Sequence, residues 1–337
     1  MTGAWFVRAA LGLLPALCFL GALLLLDSYK LVRLRTVLAV IVTGGIVAGV
    51  CYVLNRFALR ASGLEFSDYA RFVAPLVEET LKAAVVLVLI RTRRIGFLVD
   101  AAVLGFAVGA GFAIVENLYY LSQSSDTHVA TWIVRGFGTA ILHGGVQAIF
   151  AALVLTNADS RSRLDARAVL PPLALAVLVH AAFNQFALPP IFETLLVLLS
   201  IPLLLAWAFV HSERLLKRWV GSGFDADQEL LGLLGSETFS QSHAGKYLYE
   251  LRERFRGEVV ADLLCYLRLY VELALRAKGV LIMRENGLDV RIDDETRAKL
   301  QEMQYLERSV GRAGLLTLQP LMQTSRRDLW QLYMLGK

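Results

Sequence analysis

Cysteine is scarce in this sequence, three residues in 337. Cys18 and Cys51 lie in apolar runs and Cys265 in a charged region, without metal spacing, so neither a disulfide framework nor a cysteine zinc motif can be built from them. No HExxH occurs, which excludes the two-histidine helix of that class of zinc protease. No clear small-residue cleavage site precedes Asp27, and the apolar run before it exceeds the usual 7 to 15 residues of a signal core, so the reading is a first membrane helix, not a cleaved signal. Two whole connections, 122–130 and 188–190, have no lysine or arginine. That lack bears on orientation.

What is abundant is apolar. Hydrophobic residues make up 56% of the chain and the mean hydropathy is +0.56, against about 45 to 50% apolar in ordinary globular chains. Spans of membrane length are predicted at 5–26, 37–54, 72–90, 101–120, 132–155, 169–186 and 191–210. The apolar excess stops near His211, and charged residues follow at globular density. The expected fold is all-α: a polytopic bundle of about seven transmembrane helices, 1–211, followed by a mainly helical soluble domain, 212–337.

Arg91, Arg93 and Arg94 fill one connection, Arg161, Arg163 and Arg167 another, and Arg214, Lys217 and Arg218 follow the last span. The connections without basic residues alternate with these, so the basic ones face the cytoplasm. Lys30, Arg33 and Arg35 keep the phase, whereas Arg56, Arg60 and Arg71 fall on the outer side, in a connection read as an interfacial amphipathic segment. The net charge of +5 is concentrated in these loops, which argues against a nucleic-acid partner. Small residues Gly105, Gly109 and Gly111 let a neighbouring helix approach the fourth span. Pro171 and Pro172 suit the first turn of the sixth. In the soluble domain, helices are expected at 245–278, 293–311 and 325–335, with a turn or short hairpin at the Asn-Gly of 286–287. This region shows no catalytic pattern, His243 reads as a surface residue, and a regulatory or docking role is expected.

The third span, VAPLVEETLKAAVVLVL at 73–89, carries Glu78, Glu79 and Lys82 near its middle. Each charge at a helix centre costs about 2.5 to 3.5 kcal/mol on insertion scales, so the protein interior must receive them. Lys82 lies three and four residues after the two acids and neutralises one of them on the helix face. Which of Glu78 and Glu79 faces a chamber stays open, because adjacent helix residues point about 100° apart. Glu116 and Asn117, His143 and Gln147, and His180 and Asn184 add polar groups on three further spans. At about 1.5 Å per residue, Glu78, Glu116, His180 and His143 lie roughly 9, 6, 10 and 16 Å from the outer ends. Such a layer inside lipid is a hydrolytic site or an ion pathway.

EETLK at 78–82, GFAIVEN at 111–117, Arg135 followed by His143, and HAAFN at 180–184 resemble the PrsW family of intramembrane proteases, which is related to the CAAX prenyl protease group. Glu116 four residues after Phe112, where the CAAX group has histidine, and Lys82 in place of an arginine one residue later, favour PrsW and argue against a prenyl-protein substrate. The resemblance implies cleavage of membrane-anchored proteins within or beside the membrane; the expected setting is a bacterial cytoplasmic membrane, and the phase of the basic connections puts the C-terminal domain in the cytoplasm. Glu78 is then the expected base, tuned by Glu79 and Lys82, with Glu116 and His143 positioning water or metal and His180 and Asn184 as oxyanion donors. Asn117 belongs to the same expected set. Glu78, Glu116, His143 and His180 would suit Zn²⁺, and a metal-free carboxylate base is the other route. The competing class is a non-catalytic scaffold or transporter using the same chamber. Oligomeric state is not legible.

Overall fold

A computed structural model describes residues 2–27, 31–123, 128–160, 164–288, 290, 292–322 and 335, with side chains of 2–4, 159 and 160 left aside. Lys30, Ser124, Arg161, Arg163 and, apart from Leu335, the expected final helix at 325–335 lie outside the described residues. The described chain is all-α, without strand. Its helices are α1 (Thr2–Leu26), α2 (Leu34–Ser62), α3 (Phe66–Asp68), α4 (Ala74–Arg91), α5 (Leu98–Gln123), α6 (Val129–Ile133), α7 (Ile141–Ser160), α8 (Ala166–Phe183), α9 (Pro190–Leu234), α10 (His243–Glu250), α11 (Gly257–Glu285) and α12 (Asp294–Leu318). A π-helical turn, Tyr69–Val73, runs α3 into α4, and another, Val134–Ala140, runs α6 into α7.

Six helices are long and apolar enough to cross a bilayer: α1, α2, α5, the joined α6–α7, α8 and α9. The seventh expected span is α4. Its 18 residues cover about 27 Å, but Glu78, Glu79, Lys82 and Arg91 spoil its apolar character. Backbone length makes it a span, and interior partners make its charges tolerable.

The chain divides into two compact units, Met1–Glu213 and Arg214–Lys337. In the first, α5 is central, with every residue from Val99 to Ala113 buried. A Cβ built at Gly105 would lie 2.6 Å from the carbonyl oxygen of Gln147, and one at Gly109 would collide with that of His143. The numbering rises on α5 as it falls on α7, so the two helices run antiparallel at backbone contact. Without a hydrophobic drive inside lipid, such close van der Waals packing holds helices together. The lipid-compatible surface is left to α1, α2, α8 and α9, where Phe6, Leu25, Val42, Leu178, Leu199 and Trp207 are exposed.

Three boundaries differ from expectation. Helix α2 continues eight residues past Leu54 and ends at a left-handed Gly63, φ 66°, so Arg56 and Arg60 stand on its last turns and not in a loop. Helix α8 begins at Ala166, capped by Asp165, whose Oδ1 accepts from the Ala168 N–H at 3.0 Å. Pro171 and Pro172 therefore lie inside it. Pro172 cannot donate to the Ala168 carbonyl, and the Asn157 side-chain amide does so instead, at 3.3 Å. The 45-residue α9 passes the expected end at 210, since nothing in HSERLLKRWV breaks a helix.

In the second unit the expected helix at 245–278 is two helices, interrupted at 251–256 where a 3₁₀ turn (Leu251–Glu253) intervenes. The Asn-Gly step closes α11 with Gly287 at φ 78°, and no strand flanks it among the described residues. Lys278 is buried and meets Asp227 at 2.5 Å. Asp293 caps α12, and its hydrogen bonds with Thr296, with Arg276 at 2.5 Å, hold its carboxyl below the ordinary aspartate range.

Candidate active site

Helix α4 enters the bundle through the π turn, and that entry has a defect which another helix repairs. The Ala74 N–H bonds the Tyr69 carbonyl. The next bond of the series would run from residue 75 to the Ala70 carbonyl, but Pro75 has no N–H. The Asn184 amide, at the end of α8, donates to that carbonyl at 3.1 Å. The amide expected as an oxyanion donor is thus engaged with backbone, tying α8 to α4 one turn from the ionisable residues.

Glu79 is the buried hub. Its Oε1 accepts from the Lys82 ammonium at 2.5 Å and the His180 Nδ1 at 2.7 Å, and its Oε2 from the Gln147 amide at 2.6 Å. Glu79, Lys82 and Gln147 are all fully buried, so three helices, α4, α7 and α8, share one carboxylate. The Lys82 ammonium also reaches His143 Nδ1 at 3.0 Å and stands 4.4 Å from the Phe112 ring centre. An ammonium has only donors, so His143 Nδ1 accepts, and the ring proton belongs on Nε2.

Nε2 of His143 faces Glu116 Oε2 at 3.1 Å. Glu116 is in turn approached by Arg135 at 3.5 Å, whose Nε donates to Asn117 Oδ1 at 2.9 Å while its guanidinium covers the Tyr120 ring at 3.7 Å. Asn117 donates onward to the Gly12 carbonyl of α1 at 2.7 Å. Both ends of the Asn117 amide are therefore occupied. Arg135 sits on the π turn before α7 and meets the same carboxylate as His143.

Glu78 is placed differently from its neighbour. It is half-buried and accepts a 3.3 Å hydrogen bond from the Asn55 amide of α2, whose Oδ1 accepts from the Tyr69 hydroxyl at 3.0 Å. Donor atoms of Glu78, His143 and His180 lie within 4.8 Å of one another, the one such three-residue group among the described residues. The two imidazoles stand edge to face, 4.8 Å between centres. Glu116 is outside that donor group and touches it through His143. Sequence reasoning missed Asn55 and Tyr69; an amide one residue from the expected end of an apolar span was the available signal for the first.

Residues 33–209 match the family model for PrsW family intramembrane metalloproteases, more than half of the chain. The chain belongs to the PrsW family. It is accordingly a peptidase, an integral multi-pass membrane protein whose reaction is intramembrane proteolysis. Comparisons with curated proteins and with solved structures found no match. The PrsW match takes in every residue of the Glu79, Glu116 and Glu78 networks except Gly12, and stops short of the second compact unit.

Proposed function

We propose that this PrsW protein cuts membrane-anchored proteins in a chamber in the outer half of the membrane, with Glu78, His143 and His180 holding a divalent metal, zinc by its affinity for such a nitrogen and oxygen set. The observation that supports it is the convergence of those three donors from α4, α7 and α8. Two imidazole nitrogens and one carboxylate oxygen within 4.8 Å of one another are the kind of donor set that would hold such an ion. The orienting partners also fit. Ligating histidines usually give their second N–H to a carboxylate, and here His180 Nδ1 bonds Glu79 and His143 Nε2 bonds Glu116. A bound ion would supply Lewis acidity to the scissile carbonyl and to water.

The chain's own groups then divide the work. Glu78, a half-buried carboxylate with two oxygens, would give one to the ion and with the other take the proton of the attacking water and return it to the departing amine. Glu79 fixes the His180 ring, and Lys82 neutralises Glu79 so that the hub remains dry. Glu116, held by Arg135, fixes the His143 ring. Asn184 positions α4 through Ala70. The Lys82 ammonium stands at His143 Nδ1, on the ring nitrogen that Glu116 leaves unbonded.

Two expected results test this reading. Purified chain carries about one zinc, chelation abolishes cleavage and zinc restores it; the substrate is taken from fragments that vanish from the membrane proteome on Glu78→Gln. Full activity with far less than one metal per chain leaves Glu78 as a metal-free base. The second result concerns orientation, with the 214–337 unit proposed to be cytoplasmic and regulatory. In a cysteine-free background, a membrane-impermeant thiol reagent applied to intact cells labels Ser124→Cys and spares Ser236→Cys. The opposite pattern inverts the topology.

A further inference from the structure

We infer that Asn55 and Tyr69 are positioning residues for Glu78, an inference that rests on the ligand assignment proposed above. The observations are geometric. Asn55 comes from α2, outside the three helices that carry the donor group, and its amide meets Glu78 Oε1 at 3.3 Å. A carboxylate has only acceptors, so the Asn55 NH₂ must face Glu78 and its Oδ1 must face away. The Tyr69 hydroxyl, on a side chain 2% exposed, donates to that Oδ1 at 3.0 Å. The amide is thereby locked in the one orientation that donates to the carboxylate. Glu79 is fixed by three donors, whereas Glu78 has this single bond among the described residues, so its rotamer depends on it.

The arrangement also gives a reason for two local features. The π turn at Tyr69–Val73 adds a residue to the helix just before α4, which re-aims Tyr69 relative to Glu78, nine residues later on the same helical stretch. The continuation of α2 past Leu54 keeps Asn55 within regular helix, its side chain at the level of the donor group. A metal ligand whose outer partner is removed typically loses about 10- to 100-fold in affinity or activity.

The test uses the full chain in lipid nanodiscs with Zn²⁺ alone as probe, its dissociation constant read by chelator competition. Asn55→Leu retains size, adds no charge and loses the donor to Glu78. It is expected to weaken zinc binding at least about tenfold, with Asn55→Ala similar and Tyr69→Phe smaller. In a Glu78→Gln background, itself weakened, Asn55→Leu has no further effect, because the partner through which it acts is already changed. With the substrate found by the proteome comparison, kcat falls and KM stays. If Glu78→Gln weakens zinc but Asn55→Leu and Tyr69→Phe bind as the parent does, or if Asn55→Leu costs as much without Glu78 as with it, the positioning role is overturned. If Glu78→Gln binds zinc normally, or the parent takes up none, the ligand assignment itself fails.

Discussion

Glu78→Gln and Glu79→Gln, one residue apart, are expected to fail in opposite ways. Glu79 is fully buried and is the carboxylate that the Lys82 ammonium meets. Removing its charge leaves a buried cation uncompensated, a change that costs about 3 to 5 kcal/mol. Glu79→Gln is therefore expected to give poorly folded, low-yield protein. Glu78 is half-buried and bonds a neutral amide, so Glu78→Gln is expected to keep its fold where Glu79→Gln does not, since no ammonium is left without its hydrogen-bonded carboxylate. Its cleavage rate is expected to fall about 10²- to 10⁴-fold, the usual contribution of a general base. Thermal melting and cleavage, measured together, separate the two. A third variant sharpens the comparison: Glu79→Gln with Lys82→Met removes both charges, and neutral replacement of a buried pair is often tolerated. Stability is expected to return without activity, since His180 still lacks its orienting carboxylate. An inactive, unstable Glu78→Gln beside a stable, active Glu79→Gln would reverse the assignment of hub and base.

The second large effect is expected from a residue with no side chain. Gly109→Ala places a Cβ against the His143 carbonyl, a backbone atom that cannot swing aside. Overpacking of this kind costs about 1 to 3 kcal/mol, occasionally more, and it acts where α5 presents Glu116 to His143. Gly109 and Glu116 are seven residues apart, on one face of α5. Separating the helices at Gly109 lengthens the 3.1 Å Glu116–His143 bond, so cleavage is expected to fall more than tenfold along with melting temperature, by analogy with loss of a ligand's outer partner. Gly49→Ala on α2, where nothing lies within 4 Å of the added Cβ, serves as the control and is expected to be neutral or stabilising by up to about 1 kcal/mol through helix propensity. Equal losses at both positions would mean that helix separation is not what controls the site.

Much of this molecule was legible in its sequence. Apolar length and the alternation of basic connections depend on local composition, and they give the membrane helices and an expected orientation without reference to neighbours. The depth of Glu78, Glu116, His143 and His180 could be approximated by counting residues, because helical rise is constant. Azimuth between helices could not. Glu78 and Glu79 are equivalent by any count along α4, and only the placement of α7 and α8 turns one into a buried hub and leaves the other beside Asn55.

Helix ends were the next loss, for a related reason. Arg56 and Arg60 read as loop residues by polarity, yet backbone hydrogen bonding carries α2 to Ser62 and leaves Asn55 inside a helix, level with the donor group. Asn184 reads as an oxyanion donor by type, but Pro75 opens a carbonyl at Ala70 that its amide takes, and the Asn117 amide lies between Arg135 and the Gly12 carbonyl. The sequence by itself determined that costly polar groups had to meet inside an apolar bundle. Which of them touch was decided only by the tertiary structure, because the rotation of each helix is set by backbone contacts such as Gly109 on His143, and no residue encodes those contacts alone.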